Sequence, residues 1–314
     1  MMSAILGLPT AVLVVLGGIW SLLLAATVVV WRLCRRHGWD LEHELPSRVR
    51  AWWWIIGFFS LALLAGRVGA VWLFGLVSYL AFKEYVSLIP TRRADRRVLF
   101  WAYLSIPLQY YWVGIGWYGM FIIFIPVYVA LFLPMRMVLL GATDGFIRAA
   151  GTITWGLMTT VFGLSHAAYL LVLPADVAPA GGTGLLLYLV LLTQSNDIAQ
   201  YLWGKGFGGP KVVPAVSPGK TWSGFVGGVA TTTALALLLG PWLTPLSCWT
   251  LGASGVLIGV FGFVGDLTVS AVKRDLGIKD TGCLLPGHGG ILDRVDSLTY
   301  TAPLFFHFLY YLHY

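Results

Sequence analysis

The chain has 314 residues, of which 58% are hydrophobic and 11% charged, with 38 glycines and 15 tryptophans. Soluble domains carry about 25% charged residues, so this composition excludes a soluble globular protein, a disordered chain and a disulfide scaffold. It indicates an all-α, polytopic integral membrane helix bundle. The net charge of +7 does not signal nucleic acid, because the cations lie between apolar runs rather than on one basic face.

A spanning helix needs about 20 apolar residues. Roughly ten stretches qualify, a count of nine or ten, centred on 10–31, 51–66, 69–88, 98–115, 117–135, 151–173, 184–203, 223–242, 249–269 and 297–313. Only Arg67 separates the second from the third, and hydrophobicity scarcely dips between Gly114 and Gly119, where the fourth gives way to the fifth. No Lys or Arg precedes Arg32, so the first stretch is expected to remain as an anchor rather than act as a cleaved signal. If the loop carrying Arg35, Arg36, Arg48 and Arg50 is cytoplasmic, alternate crossings bring 19 of the 20 cations to that side and leave Arg67 alone opposite. Cys34, Cys248 and Cys283 are far apart and form no C-x-x-C pair, so they indicate neither zinc nor a disulfide framework.

The two halves differ. Residues 1–183 have plain connecting loops and read as a scaffold of transmembrane helices. Residues 184–314 carry two polar loops, 204–222 and 270–296, rich in Gly, Pro, Lys and Asp, and are expected to form the catalytic region.

Near the end of the ninth stretch, Asp266, Ser270, Lys273 and Arg274 are spaced i, i+4, i+7 and i+8, which lines them along one helical face. A carboxylate there costs several kcal/mol against lipid and must face a partner, a metal or a polar cavity. Taken alone, the pattern equally describes cations snorkelling to the interface with an acid paired to them. The segment that follows changes the balance. Gly287, Gly289 and Gly290 flank His288 and allow close backbone approach to an anion, and Asp293 and Asp296 open the last helix at i, i+3. Each acid alone could be a helix-dipole partner. Together with Asp266 they suit Mg²⁺, which takes one or two protein carboxylates and fills its shell with water and phosphate. A metal flanked by Lys and Arg implies a polyphosphate substrate. Upstream, Asn196 and Asp197 lie inside an apolar helix, and S-P-G-K-T supplies Ser217, Lys220 and Thr221. This is not a P-loop, because Pro214 stands where the first glycine is required.

These residues resemble the phosphatidate cytidylyltransferases (CDP-diacylglycerol synthases). The family signature appears without a gap as Ser270, Lys273, Arg274, Lys279, Asp280, His288, Gly289, Gly290, Asp293, Arg294 and Asp296. The Asn196-Asp197 helix and the S-P-G-K-T loop extend the likeness over roughly residues 190–297. Ser223 departs from it, since many members have an acidic residue there. The resemblance implies transfer of CMP from CTP to phosphatidate, giving CDP-diacylglycerol and pyrophosphate, with Mg²⁺ and a monovalent cation such as K⁺ beside it. On that basis Asp266, Lys273, Arg274, His288, Asp293 and Asp296 are the expected catalytic residues. Asn196, Asp197, Ser217, Lys220, Thr221, Ser270, Lys279, Gly289, Gly290 and Arg294 are the expected substrate contacts. Asp266 and Asp293 are the expected Mg²⁺ ligands, with Asp296 or Asp197 completing or supporting the set.

The first half would give lipid lateral access. The catalytic loops would face the cytoplasm from a bacterial inner membrane, with the bilayer and not nucleic acid as partner and a homodimer as the compatible assembly. Two other readings remain at this level. One is a paralogous CTP-dependent transferase or kinase acting on another lipid, such as a polyprenol. The other is an ion-coupled transporter using Asp197 and Asp266 as relays.

Overall fold

A computed structural model describes residues 7–38, 44–90, 96–141, 143–282 and 289–314. His288 and Cys283 lie outside the described residues. Ten helices are present among those described: α1 (Thr10–His37), α2 (Glu44–Leu64), α3 (Gly66–Leu88), α4 (Arg96–Ile115), α5 (Tyr118–Val138), α6 (Phe146–Val172), α7 (Gly181–Phe207), α8 (Trp222–Leu243), α9 (Cys248–Asp275) and α10 (Leu292–His313). α5 widens into π turns at Phe124–Val129, and α6 does so at Met158–Gly163. No strand occurs among the described residues.

Six of the ten, α1, α3, α5, α6, α8 and α9, are long and apolar enough to cross a membrane. Large side chains such as Leu22, Trp72, Leu131 and Trp249 point outward. An apolar exterior of this extent is tolerated by lipid and not by water, so the chain is an integral, multi-pass membrane protein.

The two boundaries that hydropathy marks least clearly are both made by glycine in the left-handed region. Gly66 (φ 72°) separates α2 from α3, and Gly116 (φ 74°) separates α4 from α5. Arg67, the cation predicted to lie opposite the others, donates to the Gly114 carbonyl, while the Tyr169 hydroxyl donates to Gly116 O at 2.9 Å. The turn between α4 and α5 is thereby tied to the start of α3 and the end of α6.

Helices α7, α8, α9 and α10 pack in sequence order, and α10 also packs against α3 and α6, which joins the two halves. Small residues make this possible. A Cβ on Gly265 of α9 would fall 2.7 Å from the Asp296 carbonyl oxygen of α10, and one on Gly163 of α6 would fall 2.7 Å from that of Thr299. Bare backbone therefore meets α10 from both sides, the usual device for close helix packing where hydrophobic burial supplies no net drive. Asn196 fastens the same bundle. Its amide donates to Gly259 O at 3.2 Å and accepts from Thr232 Oγ1 at 3.1 Å, linking α7 to α9 and α8.

Candidate active site

The loop between α7 and α8 is folded as a small hairpin-like turn. Lys211 and Thr221 form an isolated antiparallel bridge, Val212 N donates to Lys220 O at 3.1 Å, and Ser217 N donates to Val213 O at 2.9 Å. Thr221 then caps α8 by accepting from Gly224 N at 3.1 Å. Its hydroxyl also meets that of Ser223, 3.0 Å away, and Ser223 Oγ donates to the Gly208 carbonyl. The residue that departs from the family pattern is thus a fastener of this loop. Ser217 sits half-buried at the turn itself.

This turn delivers Lys220 to the acids of the bundle. Its ammonium pairs with Asp266 Oδ2 at 2.5 Å, donates to Gln200 Oε1 at 2.9 Å and lies 5.6 Å from the centroid of the Phe263 ring. Asp197, Asp266 and Asp296 are all within electrostatic reach of it. Burial alone would favour the neutral amine, but Asp266 and then Asp197 outweigh that penalty and hold the ammonium above the usual lysine range. The acids are themselves held. Ser270 Oγ donates to Asp266 Oδ1 at 3.2 Å, Ser297 Oγ to Asp197 Oδ1 at 3.0 Å, and Ser297 N to Asp296 Oδ1 at 2.7 Å.

A second lysine–carboxylate pair lies across α9 and α10, with Lys273 Nζ 2.8 Å from Asp293 Oδ1. The other oxygen of Asp293 gathers the preceding loop, accepting from Thr281 N at 2.9 Å, Thr281 Oγ1 at 3.0 Å and Gly290 N at 3.1 Å. Gly289 adopts φ 77°, and a Cβ there would meet Asp293 Oδ2 at 2.7 Å, so the approach requires glycine. Arg274 stitches the two polar loops together by donating to Val216 O at 3.1 Å and Ile278 O at 3.0 Å. Lys279 and Asp280 are exposed in the turn after α9.

Asp266 and Asp293 share a design. Each is oriented through one oxygen and presents the other to an ammonium group. Among the described residues, no three acidic, histidine or cysteine side chains already converge as a metal site. Asp197 and Asp296 lie within electrostatic reach of Asp266, and carboxylate oxygens of this kind are the donors a hard divalent cation takes. Two buried donors, Gln200 Nε2 and Arg294 Nε, have no acceptor, which suits an anionic ligand. Asn196, expected as a substrate contact, has both ends of its amide engaged in the helix strut.

Four residues with evident parts in this arrangement were not singled out from the sequence: Gln200, Thr281, Ser297 and Glu84, whose carboxylate accepts from Ile291 N and Leu292 N at 2.9 Å. Gln200 is three residues from Asp197 and could have been found by extending its helical face. The other three become visible only through contacts between segments that the fold brings together.

A model of the Cytidylyltransferase family matches residues 46–312. The chain belongs to the cytidylyltransferase family. It is 47% identical over 300 residues to Escherichia coli K12 "Uncharacterized protein YnbB", covering 94% of this chain and 97% of that protein. It is also 44% identical over 123 residues to a Brucella suis phosphatidate cytidylyltransferase, and 39% identical over 139 residues to one from Haemophilus influenzae. These last two matches span 46% and 48% of the relatives' own lengths, about half of each.

Proposed function

We propose that this protein transfers CMP from CTP to phosphatidate, forming CDP-diacylglycerol and pyrophosphate for phospholipid synthesis. The observation that carries the reading is a pair of sheltered lysine–aspartate contacts, Lys220 with Asp266 and Lys273 with Asp293, with Asp296 within electrostatic reach of both Asp266 and Lys273. In the reaction a phosphate oxygen of phosphatidate bonds to the α-phosphorus of CTP, and the bond to the departing pyrophosphate breaks. The attacking oxygen is already anionic near neutral pH, so no strong general base is required. The work of the site is alignment and neutralisation of crowded negative charge.

Lys220, Lys273 and Arg294 supply fixed positive charge to the phosphates, and Gln200 Nε2 offers a buried donor. The Gly289–Gly290 backbone leaves the room that the Asp293 carboxylate needs, and Gly290 N donates to it. Arg274 holds the two loops in register. Asp266 and Asp293 are the proposed Mg²⁺ ligands, with Asp296 and Asp197 in support, and a monovalent cation such as K⁺ would share the acidic cluster. When bound, Mg²⁺ would supply neutralisation of phosphate charge and help orient the leaving pyrophosphate. CTP would enter from the cytoplasm and the acyl chains from the bilayer, with the protein in a bacterial inner membrane.

A second reading has a specific observation in its favour. A match along nearly the whole chain is to YnbB, whereas the phosphatidate cytidylyltransferases of Brucella suis and Haemophilus influenzae align over 39% and 43% of it. The same CTP chemistry directed at a different lipid acceptor accounts for that pattern. The test is incorporation of label from [α-³²P]CTP into an organic-extractable product by purified protein with Mg²⁺ and phosphatidate. Label with phosphatidate establishes the first reading, and label only with another lipid phosphate or a polyprenol establishes the second. No label with any acceptor would overturn both.

A further inference from the structure

Glu84 lies on α3, in the half of the chain that supplies none of the residues discussed so far as substrate or metal contacts. Its carboxylate nevertheless reaches the start of α10, 207 positions away. Oε1 accepts from Ile291 N at 2.9 Å, and Oε2 accepts from Leu292 N at 2.9 Å and faces Thr281 Oγ1 at 3.4 Å. Asp293 grips the same segment from the opposite side through Thr281 N, Thr281 Oγ1 and Gly290 N. The single Thr281 hydroxyl proton lies between two carboxylates, with the shorter distance to Asp293. Two acids on different helices therefore clasp both ends of the loop running from Thr281 to Gly290.

The sequence makes room for the clasp. A Cβ on Gly290 would collide with Glu84 Oε2 and Thr281 Oγ1, and one on Gly282 would stand 3.2 Å from Glu84 Oε1. An acid here also complements the amide dipoles that open α10. The backbone groups it holds lie immediately before Asp293, whose free oxygen pairs with Lys273.

We propose that Glu84 is a positioning residue: it fixes the first turn of α10, and through it Asp293 and the Gly289–Gly290 backbone, so that the membrane scaffold and the nucleotide site hold one geometry. The inference deepens the cytidylyltransferase reading and rests on it for the kinetic part of its test. Glutamine at this position keeps one acceptor and turns an amide group toward the second backbone N–H. Alanine removes both acceptors.

The experiment compares wild type, Glu84→Gln and Glu84→Ala, purified in detergent, by hydrogen exchange of the 281–292 amides and by transfer kinetics. Exchange at Ile291 and Leu292 should accelerate in both variants, more in Glu84→Ala, with α7 and α9 amides unchanged. Per folded molecule, kcat should fall about tenfold or more, which corresponds to about 1.4 kcal/mol. The Mg²⁺ concentration for half-activity should rise while KM for lipid stays constant. Unchanged exchange at Ile291 and Leu292 would overturn the clasp. Wild-type kcat and Mg²⁺ requirement per folded Glu84→Gln molecule would leave Glu84 a stabilising cap and overturn the positioning role. If wild type itself transfers no nucleotide, the functional reading fails, and the exchange data still decide the clasp.

Discussion

Lys220→Met separates two roles that the proposed reaction gives to one ammonium group. Lys220 occupies Asp266 Oδ2 at 2.5 Å and Gln200 Oε1 at 2.9 Å, and both members of the ion pair are only about one-fifth exposed. A charged hydrogen bond in such a setting contributes about 1.5–3 kcal/mol. If a divalent ion must displace the lysine from Asp266, its removal should lower the Mg²⁺ needed for half-activity by about 10- to 100-fold. The same substitution removes positive charge from the transferred phosphates, so maximal turnover should drop by about 10²–10³-fold. Mg²⁺ titrations of label transfer from CTP, at saturating lipid, read both numbers from one curve. A Mg²⁺ requirement that is unchanged or increased would refute competition between lysine and metal for one carboxylate oxygen, and wild-type turnover would refute the part of Lys220 in neutralising the phosphates.

The pH dependence of that pair has a definite sign. Because the Lys220 ammonium is held above its ordinary value of 10.5, its stabilising contribution is complete below that pH and lost only as pH climbs through the higher folded-state value. The difference in Tm between wild type and Lys220→Met should therefore stay constant from pH 7 to about 10 and shrink above that. A difference that vanishes by pH 8 would contradict it. Gly265→Ala places a methyl group 2.7 Å from the Asp296 carbonyl oxygen and 3.1 Å from Ser297 Cα, both backbone atoms, and should cost about 1–3 kcal/mol. Gly206→Ala in α7, with nothing within 4 Å, should be neutral or mildly stabilising, and equal melting shifts for the two would count against the packing account. Thr221→Val removes the α8 cap and should lower stability by about 1 kcal/mol, read as a melting shift in detergent.

Hydropathy locates the helices here, and among the described residues six of the ten are long and apolar enough to cross a membrane, because a crossing must be an apolar run of nearly fixed length. Even the boundary near Arg67 is correctly placed, although it is Gly66 that makes the break. The polar ends of the helices are less legible. α7 runs to Phe207 and α10 begins at Leu292, beyond the apolar stretches centred on 184–203 and 297–313. At the start of α10 the Glu84 carboxylate of α3 accepts from the backbone of Ile291 and Leu292, a contact that composition does not record.

The site follows the same division. Asp266, Ser270, Lys273, Asp293 and Asp296 are legible because motif spacing places them on facing turns. Glu84 is not, since beside Lys83 at a helix end it looks like an ordinary interfacial pair. Its partners are backbone amides about 200 residues away, and amides carry no sequence signal. Asn196 illustrates the opposite case. A polar side chain in an apolar helix reads as functional, and its amide is engaged as a strut between three helices.

The central proposal is that Asp266 and Asp293 jointly hold a divalent ion against nucleotide phosphates. Label transfer from CTP to phosphatidate should be measured across a Mg²⁺ series for wild type, Asp266→Asn and Asp293→Asn, each verified as folded. The account predicts strong, Mg²⁺-dependent transfer by wild type and loss by about 10²-fold or more in each variant. Wild-type turnover at ordinary Mg²⁺ in either variant would contradict it.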